Sequence, residues 1–437
     1  MKVVVVGTGY VGLPTGAVLA DLGHEVVCVD KDSAKVEKIR NAESPIYEPG
    51  LIELLRKVLD SGRFTVQESL PDALKGAEVA IIAVGTPSGE DGRPNMSFVR
   101  AVAEEIGQNL DHPIVVVNKS TVPIGSGEMV RGIIIEAGAD PAHVSVASCP
   151  EFLREGSAVK DSYNPDRVVI GAETQEAADK LIELYKPLDA PIFVTDVKSA
   201  ELIKYASNSF LATKISFINA ISRVCELSGA DVDEVAKGMG MDARIGADFL
   251  KAGLGWGGSC FPKDVKGLIS KCSDLGYDFE MLTASSNVND DQTKNFLRRL
   301  KKAIGSYDGK KVALLGLAFK PNTDDIRDAK SLEIIDFLKS EGADISAYDP
   351  AAMTATKAIH PDIEYAQNAY ETTNGADAVI VVTEWGEFRA LDLNKLGDGM
   401  RQKVMFDGRR VFDPEDAEAA GFKYARVGSM SEFDGIE

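Results

Sequence analysis

Lys2-Val3-Val4-Val5-Val6-Gly7-Thr8-Gly9-Tyr10-Val11-Gly12 stands at the start of the chain, and its reading decides the fold. A β-branched run that breaks at a glycine is a buried strand. The G-x-G-x-x-G that follows it opens a helix, in whose first turn Pro14 is tolerated. Gly7 permits the tight turn, Gly9 lets backbone approach a pyrophosphate, and Gly12 lets the helix pack closely on the strand. The free N–H groups at the helix start and the positive end of its dipole suit phosphate. Asp30 ends the next apolar run, where a carboxylate accepts hydrogen bonds from both ribose hydroxyls and repels a 2′-phosphate. The cofactor expected is therefore NAD rather than NADP. Lys31 and Lys35 follow within reach of the ribose or adenine, with plain solvation the simpler role for Lys31.

Working outward, β-branched runs alternate with amphipathic segments, the mark of a parallel sheet flanked by helices. The strands expected are Lys2–Gly7, Glu25–Asp30, Glu78–Val84, Ile114–Lys119, Val144–Ser148, Arg167–Ile170 and Ile192–Thr195. From Lys198 to about Ser228 proline and glycine are absent, and Leu202, Ala206, Phe210, Phe217 and Ile221 recur at helical spacing. That is a long helix, with helical, glycine-punctuated sequence continuing to about Lys302. A turn-rich linker, Gly305 to Gly309, precedes a second βαβ pattern: strands Lys311–Leu317, Asp344–Tyr348, Ala378–Thr383 and Lys403–Phe406, and a helix Ser331–Ser340. Gly316 and Asp349 mirror Gly7 and Asp30 without a cofactor fingerprint. The expected fold is α/β, two Rossmann-like doubly wound domains joined by a long central helix. Its divisions are an NAD-binding domain over 1–197, a helical spine over 198–302, and a second Rossmann-like domain over 309–437.

The chain has 437 residues, enough for two or three cores, with 44% hydrophobic and 27% charged residues, as in ordinary globular proteins. A formal net charge of -20 argues against nucleic-acid and anionic-membrane partners. Phosphate recognition then needs a local basic pocket. The five cysteines form no CxxC, so neither a disulfide framework nor a metal site is expected, and a reducing cytoplasm fits. No apolar run is long enough to span a membrane, and the opening valines stop at Gly7, too early for a signal peptide.

The chemistry-bearing stretch is Gly255-Trp256-Gly257-Gly258-Ser259-Cys260-Phe261-Pro262-Lys263-Asp264. Beside a hydride-accepting cofactor, a cysteine thiolate captures an aldehyde and allows its further oxidation through a thioester. Lys263 and Asp264 bring charge to Cys260, and the four glycines from Gly253 to Gly258 permit backbone to approach a ligand. Lys204 and Asn208 share a helix face, where an ammonium and an amide can stabilise a developing alkoxide. His24, His112, His143 and His360 lie at turns or segment ends, where a surface role is the simple reading. A histidine-based alcohol dehydrogenase is disfavoured.

Further stretches run nearly end to end: Ile46-Tyr47-Glu48-Pro49-Gly50-Leu51, Val84-Gly85-Thr86-Pro87, Ser120-Thr121-Val122-Pro123, Pro150-Glu151-Phe152-Leu153-Arg154-Glu155-Gly156, Asn164-Pro165-Asp166-Arg167, Gly316-Leu317-Ala318-Phe319-Lys320-Pro321 and Asp407-Gly408-Arg409-Arg410. With them the chain resembles the nucleotide-sugar dehydrogenase family. The resemblance implies a four-electron oxidation of a sugar C6 alcohol to a uronate through Cys260. It makes Lys204 and Asn208 holders of the reacting oxygen, and Asp264, Glu151 and Thr121 a proton-transfer and water-orienting network. It places Tyr10, Val11, Lys35, Thr86, Thr121, Glu155, Lys263 and Arg327 near NAD. For the sugar nucleotide it implies Phe152, Leu153, Phe249, Leu250, Lys251, Gly257, Phe261, Lys320 and Arg409, with Arg244 reaching from a neighbouring subunit of a homodimer or higher homo-oligomer. It also makes the spine a dimerisation region and the last domain the one for the sugar nucleotide. Phe261 favours the UDP-glucose branch. Trp256 stands where Tyr or Phe is usual, Cys149 where Asn is common, and Asp328-Ala329-Lys330 departs from the usual Glu-Ser/Ala-Pro.

Alternatives within that family are GDP-mannose and UDP-N-acetylmannosamine as substrate. More distant ones are a two-electron β-hydroxyacid dehydrogenase, which needs no Cys260, and a catalytically silent nucleotide-binding regulator.

Overall fold

In a computed structural model, which describes residues 1–89, 92–431 and 433, the opening valines form the central strand of a twisted sheet. The strands of this first sheet are β1 (Lys2–Val6), β2 (Glu25–Val29), β3 (Phe64–Gln67), β4 (Val79–Ile82), β5 (Ile114–Asn118), β6 (Val144–Ser148), β7 (Val168–Ala172) and β8 (Ile192–Thr195). Their order is β3-β2-β1-β4-β5-β6-β7-β8. The first six follow the doubly wound 3-2-1-4-5-6 order, whose direction reverses between β1 and β4. Strand alternation explains the burial on both faces. Val3 and Val5 enter one core with Leu13 and Ala17 of the helix Gly12–Asp21 and Leu51, Leu55 and Val58 of the helix Leu51–Asp60. Val4 and Val6 enter the other, with Val102 and Ile106 of the helix Ser97–Asn109 and Val130 and Ile134 of the helix Ser126–Glu136.

The sheet is not wholly parallel as expected: β7 runs antiparallel to β6, and β8 is parallel to β7. The link from β6 to β7 carries only the six-residue helix Ala158–Tyr163. Chain clustering gives a first unit of Met1–Ser207 with Lys266–Tyr277 and a second of Asn208–Val265 with Asp278–Glu437. The helix Val197–Ser228 runs through the first division point, and its 32 residues span about 48 Å.

The second unit holds β9 (Lys311–Leu315), β10 (Asp344–Tyr348), β11 (Glu364–Tyr365), β12 (Ala378–Val381), β13 (Val404–Asp407) and β14 (Lys423–Arg426). The order β11-β10-β9-β12-β13-β14 is again 3-2-1-4-5-6, with every pairing parallel. Its core takes Phe296, Leu297 and Leu300 from the helix Glu280–Ile304 and Ile334, Ile335 and Leu338 from the helix Lys330–Ser340. The linker Gly305 to Gly309 is anchored: Tyr307 is fully buried and its hydroxyl donates to the Leu297 carbonyl at 2.7 Å. No helix among the described residues is long and apolar enough to cross a membrane.

Candidate active site

The β1–β4 switch point carries the dinucleotide cradle. Gly7 has φ +103°, and a Cβ built on it would lie 2.6 Å from the Ala83 carbonyl oxygen. A Cβ on Gly12 would lie 1.9 Å from the Gly7 carbonyl oxygen, so the helix packs on the strand only because both residues lack one. Nothing lies within 4 Å of a Cβ built on Gly9, which leaves an open backbone face for a pyrophosphate. Asp30 accepts from Thr8 N (3.0 Å) and Thr8 Oγ1 (2.6 Å) on one oxygen and from Asp32 N (3.0 Å) on the other. Burial would raise its pKa, but these bonds and Lys35 outweigh burial and hold the carboxyl below its ordinary range. An ionised, half-buried acceptor at a strand end fits the ribose of NAD. Tyr10 and Val11 belong to the same turn, and Lys31 pairs with Glu105 at 3.0 Å.

Around the ends of β5 and β6, the Thr86 hydroxyl donates to the Thr121 carbonyl at 2.9 Å. Glu151 is buried; one oxygen accepts from Lys204 Nζ at 2.8 Å and the other from Leu153 N at 2.6 Å. Burial opposes ionisation of Glu151, but the Lys204 ammonium, the Leu153 amide and the more distant Lys119 overcome it and keep the carboxyl below its usual range. Phe152 carries the Arg167 guanidinium 3.7 Å from its ring centroid and Lys204 Nζ at 5.5 Å. Leu153 and Glu155 follow in the same partly buried loop.

In the second unit, Cys260 is partly exposed and directly precedes the helix Phe261–Asp274. A thiolate there faces the positive end of the helix dipole. Its Sγ is 3.6 Å from Ser259 Oγ. Asp264, one turn on, is fully buried; it pairs with Lys263 Nζ at 2.6 Å and accepts from Asn208 Nδ2 at 2.6 Å. Thus Lys204 and Asn208, neighbours on one helix, each hold a different buried carboxylate. Phe249 has φ +64° and meets Phe261 edge-to-face at 6.3 Å, beside buried Leu250 and exposed Lys251. Lys320 lies 5.4 Å from the Phe319 ring centroid, and Arg409 Nε donates to the Val382 carbonyl at 2.8 Å. The Arg327 carbonyl accepts from Gly258 N at 2.9 Å while its guanidinium is held by Asp325 at 2.8 and 2.7 Å, and the exposed side chain of Arg244 folds onto Asp242 at 2.6 Å.

The glycines before Cys260 pack closely against the chain itself. A Cβ on Gly257 would lie 2.1 Å from the Asp328 carbonyl oxygen, and one on Gly258 would lie 2.5 Å from the Phe319 ring. Asn289 accepts from Trp256 N at 2.7 Å and donates to the Trp256 carbonyl at 3.2 Å. Trp256 Nε1 donates to Ser216 at 2.9 Å, which accounts for an indole at that position. Lys330 is buried, with its ammonium on Glu333 at 2.8 Å. The surface reading fails for two histidines: His24 and His360 are buried, His24 with a ring nitrogen 3.1 Å from the Leu184 carbonyl oxygen. Cys149 is buried in the core.

Asp349 occupies the place in the second sheet that Asp30 holds in the first, yet all its acceptor capacity is internal. One oxygen takes Leu317 N, Ala318 N and Trp385 Nε1, and the other takes Ala351 N and Ala352 N. Sequence reasoning gave no role to Arg167, Lys119, Asn289 or Glu48, whose carboxylate accepts from Gly156 N and Ala158 N at 2.8 Å each.

The fold, the NAD cradle and the two clusters define an NAD-dependent dehydrogenase. The chain belongs to the UDP-glucose/GDP-mannose dehydrogenase family, whose NAD-binding domain matches residues 1–189, central domain 198–291 and UDP-binding domain 313–414. It is 46% identical to a UDP-glucose 6-dehydrogenase of Bacillus subtilis over 429 residues, 98% of each chain. It is 43% identical to the UDP-glucose 6-dehydrogenase of Rhizobium meliloti, covering 98% of this chain and 99% of that one. Among solved structures it resembles a UDP-glucose dehydrogenase of Pyrobaculum islandicum, with TM-score 0.92, 39% identity and coverage of 98% and 97%.

Proposed function

We propose that this chain oxidises UDP-glucose at C6 to UDP-glucuronate, with NAD as oxidant and Cys260 as covalent nucleophile. The observation that carries this reading is Cys260, partly exposed at a helix start one turn from buried Asp264, in a chain 46% identical to a UDP-glucose 6-dehydrogenase. Bound NAD supplies the hydride acceptor for both oxidations, one molecule for each. Gly7, Gly9, Tyr10, Val11, Gly12, Asp30 and Lys35 hold it, with Thr86, Thr121, Glu155, Lys263 and Arg327 completing the contacts. Lys204 and Asn208 bind the C6 oxygen as its proton leaves. The thiolate of Cys260 adds to the aldehyde, forming a C–S bond and a thiohemiacetal, which becomes a thioester at the second hydride loss. Water, oriented by Asp264 and Glu151 with Thr121, breaks the C–S bond and releases the uronate and the thiol. Phe152, Leu153, Phe249, Leu250, Lys251, Gly257, Phe261, Lys320 and Arg409 hold the sugar nucleotide.

In this reading residues 1–197 bind NAD, 198–302 form the spine and 309–437 bind the UDP-sugar. The enzyme acts in the cytoplasm as a homodimer or higher homo-oligomer. Supporting association, Phe210, Phe217 and Val224 recur every seven residues on the long helix at 66%, 50% and 56% exposure. Arg244 reaches the partner's site. Sedimentation showing only monomer at micromolar concentration would remove that part. The function itself is tested by following reduced cofactor with UDP-glucose, GDP-mannose and UDP-N-acetylmannosamine. Two NADH per UDP-glucose are expected; a stoichiometry of one, or faster turnover of another sugar nucleotide, refutes the reading.

A further inference from the structure

Glu201 is buried near the start of the helix Val197–Ser228, as its fifth residue and three residues before Lys204. Its Oε2 accepts from Gly125 N at 2.6 Å and its Oε1 from Gly127 N at 2.8 Å. These N–H groups begin the helix Ser126–Glu136, where Gly125 is left-handed at φ +95°. The Ser126 hydroxyl donates to the Pro123 carbonyl at 2.6 Å. The contact is close: a Cβ on Gly127 would lie 2.5 Å from the Val197 side chain. The segment leading into this helix carries Thr121. Its near end is tied by Ser120 Oγ donating to the Val84 carbonyl at 2.7 Å and by Thr86 on the Thr121 carbonyl. Glu201 ties its far end.

We propose that Glu201 is a positioning residue whose carboxylate fixes the Thr121 loop against the helical turn that presents Lys204. This rests on the roles given above to Thr121 and Lys204. Burial pushes the carboxyl up to about 7, against the pull of the Gly125 and Gly127 amides; Glu128 adds to the rise and Lys198 opposes it. Glu128 and Lys198 pair with each other at 2.7 Å, Asp196 bonds Ser199 in the same turn, and beyond Val146 lies the Arg131–Glu173 pair at 3.5 Å. Ionised, Glu201 accepts both amides. Protonated, one oxygen becomes a donor facing an N–H, and one tie is lost. Because the folded pKa is raised, Glu201 favours stability at low pH, and that contribution is lost as pH rises through about 7, where the grip on the loop is strongest.

A merely structural role would lower stability on substitution. Positioning predicts the opposite split at pH 8. Glu201→Gln melts within ~3 °C of the native protein or above it, its kcat falls roughly tenfold or more, and its KM for UDP-glucose stays within about threefold. The acid limb near pH 7 flattens, and the Gly125 and Gly127 amides exchange hydrogen faster. Glu201→Asp, one methylene shorter, falls between, and serves alone if the glutamine variant does not fold. Glu128→Gln is the control and keeps native turnover. Native kcat with an unchanged pH profile in a folded variant overturns the proposal while leaving the UDP-glucose reading intact. If the native protein does not oxidise UDP-glucose, the function fails instead, and unchanged exchange at Gly125 and Gly127 in Glu201→Gln still overturns the tie.

Discussion

Replacing Lys204 with methionine separates what the Lys204–Glu151 pair does for the fold from what it does for turnover. The ions are 2.8 Å apart, with side chains only 4% and 6% exposed. Removing one member of such a pair leaves an uncompensated buried charge and costs about 3–5 kcal/mol. Replacing both by neutral side chains of similar shape, as in Glu151→Gln with Lys204→Met, removes most of that cost. The sign with pH follows from Glu151, whose carboxyl is held below its ordinary range chiefly by Lys204 against burial. Its stabilising contribution is present above the unfolded-state pKa and is lost as pH falls through the folded one. Without Lys204 that carboxyl rises, so the single variant is worst at pH 8 and recovers relative to native near pH 5. Urea midpoints by circular dichroism at both pH values measure this. Turnover behaves differently: losing the ammonium that meets the developing alkoxide lowers kcat by about 10²–10³, and the double variant does not restore it. A single variant within ~1 kcal/mol of native, or a double variant no more stable than the single, refutes the buried-pair argument.

Cys260→Ala is expected to abolish uronate formation while NAD affinity, measured by fluorescence titration, stays near native; full turnover would remove the covalent route. Asp30→Ala and Asp349→Ala should diverge. The first orphans only three donors, two on buried Thr8 and one on exposed Asp32, beside a half-buried position that water can enter, so it weakens NAD binding roughly tenfold or more at a cost of about 1–2 kcal/mol of stability. The second orphans five donors to a buried carboxylate and should cost about 4 kcal/mol or more, while binding of NAD is retained. Equal stability loss at the two positions, read by thermal melts, would sink the distinction.

These contrasts mark where sequence is legible. The Gly7 to Gly12 turn and Asp30 are readable because the strand–turn–helix motif carries its own spacing: Gly12 lacks a Cβ that would strike the Gly7 carbonyl five residues back, and Gly7 one that would strike the Ala83 carbonyl on the neighbouring strand. Long valine runs reveal β1, β2, β4, β5 and β6 for the same reason. β3, β11 and β14 escape because they flank their sheets, where Phe64-Thr65-Val66-Gln67, Glu364-Tyr365 and Lys423-Tyr424-Ala425-Arg426 need bury only part of each strand. Strand direction at β7 depends on its connection and leaves no trace in the strand's own composition.

What sequence hides is the partner of a polar side chain. Asp30 and Asp349 end equivalent strands after equivalent glycines, and the missing fingerprint around Gly316 withholds a cofactor role from Asp349 without saying what occupies it. Trp385, 36 residues beyond Asp349, decides otherwise by joining four backbone amides in occupying the carboxylate. Glu201 meets its amides across 76 and 74 residues of chain, and Glu151 meets Lys204 across 53. An isolated acid in a helix, as Glu201 is, reads as solvated surface because most such acids are. Only the fold shows that Glu201 and the loop residue Glu151 are buried, and burial obliges each to find a donor. In this chain the donors they find belong to the segments that carry Thr121 and Lys204, so polar satisfaction and, in the function proposed, the placing of both residues rest on the same bonds.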